Sequence, residues 1–481
     1  MASVALVGVL VHALGFPGAA PVAAFLLAVH PWHVRYGVDG RGYSFAVLLA
    51  TGGALLLLRA LRDDRWRHWL AYAASQALLL WTIPITAYVP LALAGAGAAA
   101  IACGREPGAL RARRLAHLVV ANALAAMAFL QVMAPNLAQA RGFERLLGEA
   151  AALDWAFARQ LLVFATTGLH IRMPPLPDVE FPTVLTLAAH RPGFAWLVWA
   201  VLPALLALGA ARTVRRGDAP ARAASLALVA APVLLILHRA VDGFFAYPRF
   251  AIYAVIPATA FLAIAVEGLL GRVLRARPRL VLPAALAAVA LFALALAPLL
   301  GVLLRNPQAP AREAAAFVSA FSAPGGAALR AGAGLGGDVP RVYDPWLEPL
   351  EQPSAADVEA FCERARRGGR PGLVLYGHRG LNRKRFPDAL ALLEDPARFE
   401  PLARFDGIES EHVYYVVRCR APEGEGERPA PPGATGSRSV TNSSATVGWM
   451  PSVASSWALV TPQRSATASP WTISPASGPA M

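Results

Sequence analysis

The chain has 481 residues, 56% hydrophobic and only 15% charged, with a mean hydropathy of +0.48, which excludes an ordinary soluble globular protein of this length. In a soluble chain a formal net charge of +14 would suggest nucleic acid. Here the arginines outside the C-terminal third form short clusters between apolar runs of helix length, a pattern of membrane topology and not of a DNA-binding face.

A bilayer core needs about 20 apolar residues per helix and leaves no backbone group unsatisfied, so long apolar runs read as spanning helices. Ser3–Val29 is interrupted by GFPG at Gly15–Gly18 and reads as two short helices or one broken helix. After the polar stretch His30–Gly42, the expected spans are Tyr43–Leu61, Trp69–Ile85, Thr86–Cys103, Leu115–Ala134, Phe194–Ala211, Ala223–Leu237, Phe250–Leu270 and Leu280–Leu303. The long segment Pro135–Gly193 holds an amphipathic or re-entrant candidate at Leu153–Leu169 and a Pro-rich run at His170–Pro182; loops of this length usually serve as functional lids or are disordered.

Basic loops at Arg59–Trp69, Cys103–Arg114, Ala211–Arg222 and Gly271–Arg279 recur at every second turn, so all four can lie on the cytoplasmic side. His30–Gly42, the turn near Thr82–Tyr88, Pro135–Gly193, His238–Arg249 and everything after Arg305 then face outward. Beyond Leu303 the composition changes. A helix at Ala311–Ala323 and strands at RVYDP, PGLVLYG and HVYYVVRCR predict a small extracytoplasmic α/β domain over 305–420. Residues 421–481 are rich in Pro, Ser, Thr, Ala and Gly and are expected to be disordered. Cys103, Cys362 and Cys419 lack metal-ligand spacing; Cys362 and Cys419 can pair if exported, but no disulfide framework is implied. The first apolar segment begins at once, without the basic start and cleavage site of a signal peptide.

The stretch HPWHVRYGVDGRGYSF, His30–Phe45, concentrates polar chemistry between apolar runs. Arg35 and Arg41, with the hydroxyls of Tyr36 and Tyr43, suit an anionic headgroup or sugar phosphate, because a guanidinium presents a fork of donors and does not titrate. Asp39 has three readings: it holds Arg41, binds a divalent metal, or orients a sugar hydroxyl. Trp32 and Arg35, taken singly, also fit an ordinary interfacial belt. A carboxylate so close to hydrocarbon is costly without a purpose, which favours function for Asp39 with Arg41.

Pro31, Tyr36, Asp39, Arg41 and Tyr43 match a Pro-x-x-x-x-Tyr-x-x-[Glu/Asp]-x-Arg-x-Tyr pattern. In this it resembles the membrane glycosyltransferases of the family 39 and aminoarabinose-transferase type, within the GT-C superfamily of the protein mannosyltransferases. YPRFAIYAVIPA, Tyr247–Ala258, is similar to the family's Arg-[Tyr/Phe] start of a late helix with an internal Pro. The closing segment Ala403–Arg418 looks like part of its extracytoplasmic cap. The resemblance covers about Ala5 to Arg420. It implies a GT-C-like polytopic α-helical membrane protein, with about 9–10 spanning helices over 1–304 and an α/β cap over 305–420, in a bacterial plasma (inner) membrane.

The activity it implies is inverting transfer of a sugar from a polyprenyl-phosphate donor to a lipid, glycan or protein acceptor. A carboxylate would orient or deprotonate the acceptor while cations stabilise the departing phosphate. Asp39 and Arg41 are the catalytic candidates. Arg35, Tyr36, Tyr43, Tyr247, Arg249, His238 and Arg239 are the substrate-binding candidates, with Arg41 and Arg249 for the phosphate and Tyr43 and Tyr247 as supporting donors. The family carries its acceptor carboxylate between its first and second membrane helices. MASVALVGVLVHALGF looks like the second helix, so on this reading the chain starts after that loop and is inactive as written unless Asp39 substitutes.

Other polar groups are weaker candidates. His238, Arg239 and Asp242 fit a sugar site or an interfacial salt bridge. His170, Arg172, Asp178 and Glu180 fit an acceptor gate or solvated loop charge, and Asn136 and Gln139 fit contact with lipid or sugar. His30 and His33 lack a third ligand for zinc. Arg379, Arg383 and Lys384 read as a solvated basic surface. Two other readings are a secondary transporter or lipid-linked glycan flippase, and a non-catalytic membrane partner of a transferase. Transporters place ionisable residues at mid-membrane and carry internal repeats, whereas here the charges collect at one interface.

Overall fold

The computed structural model of the protein describes residues 1–38, 42–147, 155–168, 192–242, 248–305, 310–320, 328–334, 339–350, 352–405 and 413–420. These fall into two compact units, one ending at Arg305 and one beginning at Pro310.

The first unit is helical, and seven of its helices are long and apolar enough to cross a membrane. Leu91, Val119, Met127, Leu291 and Leu294 are each more than half exposed; so much apolar surface is costly in water and matches the hydrocarbon of a bilayer. This is a helical membrane protein. The span Pro248–Val273 has 83% of its apolar window buried, against 17% for Gly108–Ala134 and Pro278–Ala297. The first is therefore the centre of the bundle, and the other two supply outer surface.

The N-terminal region forms two short helices, α1 (Ala2–Ala13) and α2 (Ala20–Val29), of about 18 and 15 Å at 1.5 Å per residue. Gly15 at φ +96° makes the turn between them, a conformation open to glycine without a Cβ clash. The expected outer loop after α2 is mostly helix instead: α3 runs Pro31–Val38, with Pro31 at the first position, where a missing N–H costs nothing. Next come α4 (Tyr43–Asp63), α5 (Trp66–Thr82) and α6 (Tyr88–Ala102), the last preceded by a 3-10 turn at Pro84–Ala87.

At 17 residues α5 is a little shorter than a full span. With α1 and α2 also short, this accounts for the seven long spans among the described residues where about nine or ten are expected. Helix α7 runs Gly108–Leu147, past Pro135, where the sequence predicts a loop. Proline forfeits one hydrogen bond and bends a helix, and a long helix absorbs this when its other bonds persist. The short α8, Trp155–Thr167, falls on the predicted amphipathic segment and buries Phe157, Leu161, Phe164 and Ala165. The remaining spans are Leu197–Arg216, opening with a π-helical turn, Ala219–Asp242, Pro248–Val273, opening with a 3-10 segment at Pro248–Ala254, and Pro278–Ala297.

The second unit carries a five-stranded sheet of order β2-β1-β3-β5-β4, formed by β1 (Leu329–Ala333), β2 (Glu348–Leu350), β3 (Gly372–Tyr376), β4 (Phe399–Phe405) and β5 (Tyr414–Cys419). β1 pairs in parallel with β2 and β3, and β5 pairs antiparallel with β3 and β4. β3 is buried at every position, as a central strand covered on both faces should be. PGLVLYG and HVYYVVRCR are strands as predicted. RVYDP is not: Val339–Val342 is a 3-10 turn, and the buried Asp344 accepts from Arg330 (2.8 Å), Ser319 Oγ (2.9 Å) and the Trp346 amide (3.2 Å). A capping box of Ser354 and Asp357 starts the Ala355–Arg367 helix. From that helix Cys362 forms a disulfide with Cys419 of β5.

Candidate functional site

Among the described residues, the polar side chains that the sequence singles out around His30–Phe45 and His238–Arg249 collect at one end of the helical unit, where α3, the start of α4, α8, the Pro248–Ala254 turn and the end of the Ala219–Asp242 helix come together. Helix α3 is not an exposed belt. Trp32 and Tyr36 are 1% exposed and Arg35 is 8% exposed, so the interfacial reading of Trp32 and Arg35 gives way to a buried one. Two glycines allow this packing. Gly168, at φ +70°, ends α8 where a Cβ would lie 2.6 Å from the Trp32 nitrogen, and a Cβ on Gly42 would lie 2.5 Å from Thr82 Cγ2.

Within α3, side chains four apart share a face: Trp32 and Tyr36 meet edge to face at 6.2 Å between ring centres, and Tyr36 meets Tyr43 at 4.7 Å. The Arg35 guanidinium lies 5.7 Å from the Tyr36 ring. Trp32 also packs on Phe164 of α8. His30 Nε2 is 3.1 Å from the Ala165 carbonyl, and His33 Nε2 is 2.8 Å from Ser3 Oγ, so both histidines engage neighbouring helices. Among the described residues no three His, Cys, Asp or Glu side chains converge as a metal site.

The structure joins some predicted residues and separates others. Arg35, Tyr36 and Tyr43 form one cluster. Arg239, 5% exposed, lies 4.6 Å from the ring of Phe157 on α8, while Arg249 stacks 5.8 Å from its neighbour Phe250. His238 and Arg239 are consecutive, so they point about 100° apart around the helix and meet different partners. His238 reaches Tyr88 of α6, with the Tyr88 hydroxyl 2.5 Å from Nδ1, and Asp242, 2.5 Å from Nε2. Asp39, Arg41 and Tyr247 lie outside the described residues, as do His170, Arg172, Asp178 and Glu180.

Sequence reasoning passed over Tyr88, Phe157, Gln160 and Tyr253. Gln160 and Tyr253 are buried, and Gln160 Oε1 and the Tyr253 hydroxyl have no hydrogen-bond partner among the described residues. A glutamine inside an apolar helix and a Pro-x-x-x-x-Tyr run were the available signals, but neither says which face is inward.

The opposite end holds ion pairs that tie helices together. Arg62 donates to the Ala13 carbonyl and to Asp218, both at 2.9 Å. Arg212 pairs with Glu267 at 3.2 Å and lies 5.8 Å from the Phe16 ring. The GFPG turn, itself without a basic residue, is thus held by arginines from other helices. Asp64 accepts from Trp69 Nε1 at 3.1 Å and Arg113 Nε at 2.8 Å, with His117 Nδ1 at 3.1 Å. In the second unit, Arg379 and Arg383 both pair with Glu394, so they are not simply a solvated basic surface.

No protein-family model matches the chain, and no curated protein matches it in sequence.

Proposed function

We propose that the protein is a GT-C-type membrane glycosyltransferase that moves a sugar from a polyprenyl-phosphate carrier to an acceptor at the outer face of a bacterial plasma membrane. The observation that carries this reading is the placement of buried guanidinium charge. Arg35 and Arg239 are the buried arginines among the described residues of the helical unit, and both sit beside aromatic rings at the same end of it. Burying a guanidinium beside hydrocarbon is costly, and a phosphate group offers it charge-assisted, bidentate hydrogen bonds. A transporter would be expected to place such charge at mid-span; these two lie near helix ends.

The disulfide Cys362–Cys419 supports an extracytoplasmic position for the sheet unit, because such bonds persist in oxidising compartments. The rings of Trp32, Tyr36 and Phe157 wall this end of the unit, and Arg35 and Arg239 supply cations for the leaving phosphate.

The test is transfer by the purified full-length protein in lipid nanodiscs, with a panel of polyprenyl-phosphate hexoses and pentoses and a membrane extract of the native host as acceptor. Arg239→Lys keeps the charge and loses the fork, and is expected to reduce transfer by about 10- to 100-fold. Arg35→Gln should reduce it at least as much. No transfer from any donor by the unaltered protein overturns the proposal.

A further inference from the structure

The end of the Ala219–Asp242 helix carries a hydrogen-bonded chain that is more than a surface salt bridge. Asp242 and His238, four residues apart, face the same side of the helix, with Asp242 Oδ2 2.5 Å from His238 Nε2. An exposed pair of this kind by itself contributes little. What sets this pair apart is the third member, Tyr88, which reaches the other ring nitrogen from α6, with its hydroxyl 2.5 Å from Nδ1.

Proton positions follow from the donor inventory. An ionised carboxylate only accepts, so in the neutral imidazole Nε2 carries the proton and donates to Asp242, and Nδ1 accepts from the Tyr88 hydroxyl. If the Tyr88 proton moves to Nδ1, the imidazolium donates at both ends and every heavy atom stays in place. The carboxylate orients the ring and stabilises the charge that forms. The chain thus has two protonation arrangements in one geometry, as a proton relay needs.

A second observation lies beside it. The Pro248–Ala254 turn, which carries Tyr253, packs against the Pro84–Ala87 turn that leads into Tyr88. Tyr253 is 1% exposed, and its hydroxyl has no hydrogen-bond partner among the described residues. A buried hydroxyl without a partner is costly, and a ligand hydroxyl beside Tyr253 would supply one.

We propose that this is the acceptor subsite: Tyr88 takes the proton of an acceptor hydroxyl, and His238, oriented by Asp242, receives the proton of Tyr88. The proposal rests on the reading of the protein as a glycosyltransferase. In the step, the acceptor O–H bond breaks and its proton passes to Tyr88 as the Tyr88 proton passes to His238 Nδ1. The acceptor oxygen bonds to the anomeric carbon, and the carbon–oxygen bond to phosphate breaks with its electron pair leaving on the polyprenyl phosphate. The imidazolium later loses its proton to water. Tyr88 is the catalytic residue, and His238 and Asp242 act through it. Among the described residues, the titratable groups that reach the ring are Asp242 on its own helix and Tyr88 from α6, while Arg239 lies beside Phe157.

The experiment measures release of polyprenyl phosphate from the same donors, by full-length protein in nanodiscs with host membrane extract as acceptor. Tyr88→Phe removes one oxygen, and His238→Gln keeps hydrogen-bonding capacity without titrating. Each is expected to lower kcat about 100- to 1,000-fold, with the donor KM within about threefold, and the double variant should be no slower than the worse single, since the residues act as a unit. Asp242→Asn should lower kcat with the donor KM likewise within about threefold, since Asp242 orients the ring and takes no proton. If Tyr88→Phe and His238→Gln stay within threefold of an active unaltered protein, the relay is overturned and the glycosyltransferase reading stands. If the unaltered protein releases nothing from any donor, both fall.

Discussion

Replacing Cys362 and Cys419 together by alanine should strongly destabilise the sheet unit while leaving the helical unit in place. The disulfide joins residues 57 apart in sequence, linking the Ala355–Arg367 helix to β5. Closing a loop of that length in the unfolded chain costs entropy that the bond removes, which amounts to about 4 kcal/mol at 25 °C. A domain of this size has only about 5–15 kcal/mol in all, so the loss is a large share. With a urea dependence of about 1–3 kcal/mol per molar, the midpoint should fall by roughly 1.5–4 M. The assay is pulse proteolysis of full-length protein in detergent against urea, following cleavage within 310–420, and reduction of the unaltered protein should reproduce the shift. A midpoint within about 0.5 M of the oxidised protein would refute the reasoning. The same bond gives a labelling test of orientation in intact cells: after reduction, an impermeant maleimide should reach Cys362 and Cys419, whereas the exposed free Cys103 should label only after permeabilisation.

Two further predictions concern the helical unit. A Cβ on Gly209 would lie 2.0 Å from the Phe261 carbonyl oxygen, with backbone carbons at 2.6 and 2.7 Å, whereas on Gly53 it would meet the end of the Gln76 side chain. A side chain can turn away and a backbone cannot, so Gly209→Ala should cost about 1–3 kcal/mol or more and Gly53→Ala less, measured as melting temperature in detergent; equal shifts would contradict this packing. At Asp64, burial opposes the charged form, but the hydrogen bonds from His117, Arg113 and Trp69 outweigh it and hold the carboxyl below its usual value. A depressed carboxyl contributes stability above its unfolded pKa, near 4, and loses it as pH falls through the lower folded value. Thermal stability should therefore drop below about pH 4 in the unaltered protein, and Asp64→Asn should be less stable at neutral pH with a flatter acid dependence.

Much of the architecture follows from one-dimensional pattern. Apolar runs at Tyr43–Asp63 or Ala219–Asp242 can only be satisfied as helices in a bilayer. The strands β3 and β5 show in their runs of Val, Leu and Tyr, and the change of composition after Leu303 marks where the second unit begins. The sequence reading also picked out α3 as chemically unusual, because histidine, arginine and tyrosine between apolar runs need an explanation wherever they fold.

Burial, pairing and facing belong to the tertiary structure. That Trp32 and Arg35 are interior and not interfacial depends on α8 closing over α3, a contact between segments more than a hundred residues apart that Gly168 permits. RVYDP has strand-like residues yet turns, because Asp344 finds Arg330 and Ser319. From the sequence the two cysteines can pair only if exported, and it is the sheet that brings them together. His238 and Arg239 are neighbours in the chain, and only the placement of α6 and α8 sends one to Tyr88 and the other to Phe157. Local sequence determines which segments are helical and apolar, because those preferences act over a few residues. Which polar groups meet is decided by long-range packing, since each depends on a partner that no local window contains.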